Sequence, residues 1–348
     1  MQRKFERHLN QISLRNCLST CRTCIPWYTR FLQRINRMHH ILQVLTPTWF
    51  VFIFISRNGI NGFGYSKREQ HLWPQKYESC AGELQSPVAI STSKAIALPL
   101  PALEMVGYHD FLPTPQVLIN NGRTVKLIVK KNATYERSPY IFGAILKQNQ
   151  QYEMEELHFH WGIKNSKGAE HVLNGVRYPM EMHIVHRNTA YPNISHALRH
   201  EDGLVVVATF FQLQDEDNTL VRPLIQKLPD VQWAHTERSV NISITLASLI
   251  PSNTDVFYTY KGSLTTPPCS EVVTWIIFAI PTPLSVRQIN TFRKLSNGEE
   301  TLGDNFRLLQ DIGQRKIYTR RLDSSLWAKD IKRNNSQLNI TDLSWFWL

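Results

Sequence analysis

The chain has 348 residues, 42% of them hydrophobic and 19% charged, with five cysteines and a formal net charge of +11. This composition excludes a disordered polar chain, a disulfide-dense miniprotein and, with only one long apolar run, a multi-span membrane protein. The length suits one large domain or two medium ones. The charge is uneven: residues 1–57 carry nine Lys or Arg against Glu6 alone, while the rest of the chain is close to balance. A surplus confined to one terminal segment argues against a nucleic-acid partner.

In chain order, residues 1–40 form a basic extension and residues 41–57 a hydrophobic segment. Ile41–Ile55 reads ILQVLTPTWFVFIFI, without a charge. It falls short of the roughly 20 residues of a spanning helix and fits the apolar region of a secretory signal. Translation from Met38, or cleavage near residues 56–64, would release a secreted domain. The alternative is an uncleaved signal anchor with residues 1–40 in the cytosol, in keeping with the positive-inside rule, and only then would the chain meet a membrane. Cys17, Cys21 and Cys24 have no second Cys or His pair at finger spacing, so chance or lipid attachment explains them better than zinc does.

From about Phe63, short apolar runs rich in β-branched residues alternate with turn signals. Val117–Ile119 and Val125–Val129 flank the turn Asn120-Asn121-Gly122. Further strands are expected at Leu157–Trp161, Met182–His186, Leu204–Phe211, Val240–Leu246 and Val272–Ile280. Leu204–Phe211 is apolar throughout, as in a strand buried on both faces. Helical signals are few: Leu220–Leu228 and Ser285–Leu295. The expected class is mainly β (α+β), a mostly antiparallel sheet with short peripheral helices. Sequons at Asn132, Asn193, Asn241, Asn334 and Asn339 suggest a glycosylated secreted chain. Cys80 and Cys269, the remaining cysteines, most simply form one disulfide there.

The sharpest signal is Glu156-Leu157-His158-Phe159-His160-Trp161. On a strand, His158 and His160 share one face and Leu157, Phe159 and Trp161 the other. Two imidazoles give two ligands, and a catalytic zinc needs a third plus an open position. His183 is the third candidate, with Glu181 on its face to take the free ring N–H and Val185 as an apolar wall. His171 and His186 compete for that role. Tyr260-Lys261-Gly262-Ser263-Leu264-Thr265-Thr266-Pro267-Pro268 reads as a proline-stiffened turn carrying two hydroxyls.

Together these residues resemble the α-class carbonic anhydrases, and the extracellular type in particular, from about Phe63-Gly64-Tyr65 to about Arg321. Gln85-Ser86-Pro87-Val88, Asn120-Asn121-Gly122, the HFHWG run, Glu170-His171, Glu181-x-His183-x-Val185-His186, Asp202-Gly203-Leu204 and the GSLTTPP run occur in order. The resemblance implies a domain over 63–321, with the tail 322–348 beyond it, and a large twisted sheet. It implies Zn2+ as cofactor, on His158, His160 and His183, and carbon dioxide and bicarbonate as substrates. Thr265 would be a gatekeeper hydroxyl held by Glu170, and Thr266 would border the substrate. Val185, Val206, Leu264 and Trp275 would line the apolar wall, and Tyr65 and Asn121 the water-lined face. Glu181 and Asn305 would support the ligands. Pro87 and Pro268 match cis prolines of the family, and Cys80 and Cys269 match the disulfide of its extracellular members.

Two positions depart from the family. Arg123 stands where the fastest members carry a proton-shuttling His, and arginine cannot relay a proton. Glu156 stands where Gln usually supports the first ligand, adding a negative charge that should make bound water less acidic. Lys126 is a candidate to offset it. The expected function is reversible hydration of carbon dioxide, limited by proton transfer. The alternative is a weak or inactive carbonic-anhydrase-like binding module, although inactive relatives usually lose a zinc His and this chain keeps all three. The ending Leu343–Leu348 is too short for a membrane span or a glycolipid-anchor tail.

Overall fold

A computed structural model of the chain describes residues 62–129 and 138–320. The extension 1–40, the apolar run 41–57, Asn132, and the tail with Asn334 and Asn339 lie outside these residues. From Phe63 on, the described chain belongs to one compact unit.

The described strands are β1 (Ala89–Ile90), β2 (Ile96–Leu98), β3 (Leu103–Val106), β4 (Gln116–Asn120), β5 (Val125–Val129), β6 (Tyr140–Gly143), β7 (Tyr152–Trp161), β8 (Val172–Leu173), β9 (Met180–Asn188), β10 (Leu204–Gln214), β11 (Thr236–Val240), β12 (Phe257–Gly262), β13 (Val273–Phe278), β14 (Thr282–Ser285) and β15 (Tyr318–Arg320). Short helices intervene: α1 (Lys67–Gln70), α2 (Trp73–Lys76), α3 (Ile194–Ala197), α4 (Arg222–Ile225) and α5 (Val286–Phe292). A 13-stranded sheet follows the path β11-β4-β5-β7-β9-β10-β13-β12-β15-β2, with β14 beside β10 and β6 joining β3 to β7; β1 and β8 pair separately. Most neighbours are antiparallel, but β10 runs parallel to β13 and β14, and β15 to β2. The sheet is therefore mixed, and the expected class holds.

The sheet divides the core in two. Leu157, Phe159, Trp161, Met182, Ile184, Val205 and Val207 face the larger cluster. Val185, Val206, Ala208 and Trp275 face the smaller one. Both alternations follow from the period of two, and each large apolar side chain so buried contributes about 1.5–3 kcal/mol. β9 is buried along its whole length. A register shift on β7 lies between Met154 and Glu156. Before it, Tyr152 and Met154 face the larger core; after it, Leu157, Phe159 and Trp161 do. The bulge lets both apolar sets share one face, and it turns Glu156, His158 and His160 to the other.

Two expected elements are corrected. Val240–Leu246 is a strand only at Val240. Beyond it the Gln116 amide takes over: its Oε1 accepts from Ile242 N–H at 2.9 Å and its Nε2 donates to Ile242 O at 3.1 Å. Those groups need no strand partner. Leu220–Leu228 breaks into the single turn of α4 and a 3₁₀ turn at Leu228–Val231, each opened by a proline, Pro223 and Pro229. The helix expected at Ser285–Leu295 is α5, started by a Ser285/Gln288 capping box. Ser86-Pro87 and Pro267-Pro268 are cis, as the resemblance implied, and Thr114-Pro115 is cis as well.

Candidate metal centre

Strand register brings the three histidines together. His158 on β7 lies opposite His183 on β9, and His160 lies opposite Glu181. A second cross-strand row on the same face runs Glu156–Val185–Val206–Trp275–Tyr260 through β7, β9, β10, β13 and β12. One row thus holds imidazoles, and the next is an apolar wall with Glu156 at its end. Leu264, half-buried, packs against that wall.

Each imidazole has one nitrogen occupied. His158 Nδ1 lies 3.1 Å from Glu156 Oε1. His160 Nδ1 lies 2.7 Å from the Asn305 carbonyl. His183 Nε2 lies 2.7 Å from Glu181 Oε1. These acceptors keep the proton on the bonded nitrogen and leave a lone pair on the other. One ring nitrogen from each histidine lies within 4.8 Å of the others, and His160 Nε2 is buried with no hydrogen-bond partner among the described residues. An orphaned buried nitrogen is costly unless something binds it, and three imidazole donors suit zinc. The residues therefore fit the metal. In a second close group, His171, Glu181 and His183, both nitrogens of His171 and both oxygens of Glu181 are spent on hydrogen bonds within the site.

The surroundings hold these tautomers. Burial, with His160 and His183 adding to it, pushes the His158 imidazole down to about 3 against the opposing pull of Glu156. Burial likewise lowers His160. Burial works to raise Glu156, but the His158 hydrogen bond and the Lys126 charge prevail and hold it at about 2. Glu181 is fully buried, yet it stays well below the usual carboxylate range because His171 and His183 bond to it. It accepts from His171 N–H at 2.8 Å and lies 2.7 Å from His171 Nδ1. His171 Nε2 is 2.8 Å from Tyr260 Oη, so this competitor for the metal is a strut behind His183. His186, on the opposite face, lies 2.7 Å from Tyr108 Oη.

Other expected residues fall around this centre, one of them differently. Glu170 Oε1 accepts from Arg307 N–H at 2.7 Å, but Oε2 makes no hydrogen bond among the described residues. Among the described residues Thr265 makes no hydrogen bond to Glu170; Oε2 lies 3.5 Å from His160 Nε2 and 3.9 Å from His183 Nδ1. Thr265 is buried, and Thr266 O accepts from Cys269 N–H at 2.9 Å. Trp275 sets its ring edge-on to His183 with centroids 4.8 Å apart and donates its Nε1–H to Ser263 O. Asn305 also donates to the Arg123 carbonyl at 2.9 Å. Asn121 Oδ1 accepts from the Arg123 and Thr124 N–H groups.

Arg123 is folded back: its Nε donates to Phe63 O at 3.0 Å and its guanidinium stacks 4.4 Å over the Phe63 ring. Tyr65 is half-buried, and burial, then Glu170, raises its hydroxyl above the ordinary range. Phe63, Tyr65, Asn121 and Arg123 line a cavity of about 650 Å³ that also takes in His235. Nothing local in the sequence singles out His235, which lies 112 positions from Arg123 along the chain. Cys80 and Cys269 form the disulfide. Asn193 and Asn241 are exposed. Asn193 caps α3 through its Oδ1, which leaves Nδ2 for modification. Among the described residues no helix is long and apolar enough to cross a membrane.

Comparison with known proteins agrees with this geometry. The family model of the eukaryotic-type carbonic anhydrase matches residues 68–321. Carbonic anhydrase 15 of Mus musculus is 34% identical over 254 residues, 70% of this chain and 78% of that one. Carbonic anhydrase 6 of Homo sapiens is 31% identical over 251 residues, 70% of this chain and 78% of its own. The carbonic anhydrase-related protein of Rattus norvegicus is 32% identical over 247 residues, 68% and 83%. The chain belongs to the eukaryotic-type carbonic anhydrase family.

Proposed function

We propose that this chain is a secreted, zinc-dependent lyase that converts carbon dioxide and water reversibly to bicarbonate and a proton. The observation that carries this reading is the convergence of His158, His160 and His183, each with one nitrogen committed and one left over. Zinc held there would supply the Lewis acid that makes water nucleophilic near neutral pH, the chemistry for which carbonic anhydrases are the type example. Val185, Val206, Leu264 and Trp275 would keep water off the side where carbon dioxide rests. Thr265 has one proton to donate; with Glu170 as its acceptor, after Oε2 turns from the imidazoles, its lone pairs would orient the attacking oxygen. Arg123 cannot relay the product proton, so its transfer to solvent limits turnover. The disulfide and the two exposed sequons support an oxidising, extracellular setting; an uncleaved N-terminal anchor would place the same domain on the outer or lumenal side.

The test is zinc content and carbon dioxide hydration of the wild type beside His160→Ala. One zinc per chain and hydration, both lost in the variant, is the expected outcome; hydration that survives His160→Ala would reject the site. A binding module without appreciable turnover is the second reading. It is favoured by Arg123, by the missing Thr265–Glu170 bond, and by the carbonic anhydrase-related protein among the relatives.

A further inference from the structure

The geometry points to Lys126 as the residue that sets the charge behind the metal centre: its ammonium cancels Glu156, so that the two together support His158 as a neutral partner would. The inference rests on the zinc reading above. Lys126 on β5 is the register partner of His158 on β7, so their side chains leave the sheet on the same face. From there Lys126 Nζ reaches back to Glu156, 2.8 Å from Oε2 and 3.0 Å from Oε1. The ammonium sits astride the carboxylate whose Oε1 lies 3.1 Å from His158 Nδ1.

Charge decides what this contact does. A bare carboxylate behind a ligand imidazole would add a full negative charge close to a divalent cation and tighten its hold on the metal. A cation on both carboxylate oxygens removes most of that field. The side chains are 28% and 21% exposed, so the pair is less screened than an ion pair on the open surface. Lys126 touches neither the metal position nor the substrate wall; it acts through Glu156 and is a positioning residue. Cancellation makes a signed prediction: removing the cation and removing the anion must move zinc binding in opposite directions, and removing both must restore it. A packing role would move both single variants the same way.

The test uses the full chain. The zinc dissociation constant is measured by competition with dipicolinate for the wild type, Lys126→Met, Glu156→Gln and the double variant, with a melting curve of each metal-free protein to confirm folding. Lys126→Met should bind zinc about three- to tenfold more tightly and Glu156→Gln about three- to tenfold more weakly, with the double variant within about twofold of wild type; these shifts sit below the loss seen when an outer-shell partner is removed outright. Single variants that shift in the same direction, or a Lys126→Met constant equal to the wild type, would overturn the inference. A wild type that binds no zinc would reject the metal reading itself, whereas zinc binding with an unshifted Lys126→Met constant rejects the charge pair alone.

Discussion

Three imidazoles serve one metal only if each commits its second nitrogen elsewhere, and here the three commitments differ in charge. Asn305 gives His160 a neutral carbonyl, Glu181 gives His183 a buried carboxylate, and Glu156 gives His158 a carboxylate already paired with Lys126. Glu156→Gln leaves the Lys126 cation uncancelled beside the site. Bound water should then be more acidic, so the pH midpoint of hydration should fall below that of the wild type. A pH–rate profile checks this, and an unchanged midpoint would remove Glu156 from the account. On the proposed reading a proton relay would stand at Arg123, whose side chain is turned onto Phe63. Arg123→His should raise turnover in weakly buffered solution and reduce its dependence on added imidazole. Stopped-flow hydration assays would show it; no change would place the relay or the slow step elsewhere.

At the scale of the element, β9 carries three kinds of work in nine residues. Glu181 and His183 face the candidate metal centre, Met182 and Ile184 the larger core, and His186 meets Tyr108 on the core side. Burial holds His186 at about 3, against an ordinary value of 6.5. The folded state therefore keeps it neutral where the unfolded chain would protonate it. Its contribution to stability is full above about pH 6.5 and is lost as pH falls toward about 3, at up to ~1.4 kcal/mol per pH unit. His186→Phe should flatten the acid dependence of the unfolding free energy by about that slope between roughly pH 4 and 6. Denaturant titrations at several pH values test this, and an unaltered slope would mean that His186 is already protonated in the fold.

The paired histidines were legible because a strand alternates faces, and Leu157, Phe159 and Trp161 mark the buried one. The bulge before Glu156 was not legible, since one extra residue in an acidic run leaves no periodic trace. Nor was the end of β11 at Val240, because a side-chain amide 126 positions away satisfies Ile242. The Lys126–Glu156 pairing became visible only once the register of β5 on β7 was known. The orientation of Glu170 is likewise a matter of tertiary contacts, made by Arg307 and the imidazoles.

For the whole molecule, one covalent tie joins the start of the domain to the loop after Thr265 and Thr266. Cys80 and Cys269 are 189 positions apart and buried together with Trp73. Replacing both with Ser should cost about 2–5 kcal/mol of stability. Thermal melts of wild type and variant would measure this, and equal melting temperatures would show that noncovalent packing alone closes the loop. The larger claim is that a mixed sheet with histidines on one face and an apolar wall beside them works as a zinc hydratase short of a proton relay. Zinc content and the rate of carbon dioxide hydration, measured on the purified protein with and without added imidazole, test it most directly. The account predicts one zinc per chain and a hydration rate that rises with imidazole. Stoichiometric zinc without hydration at any buffer concentration would contradict it and leave a carbonic-anhydrase-like binding module in its place.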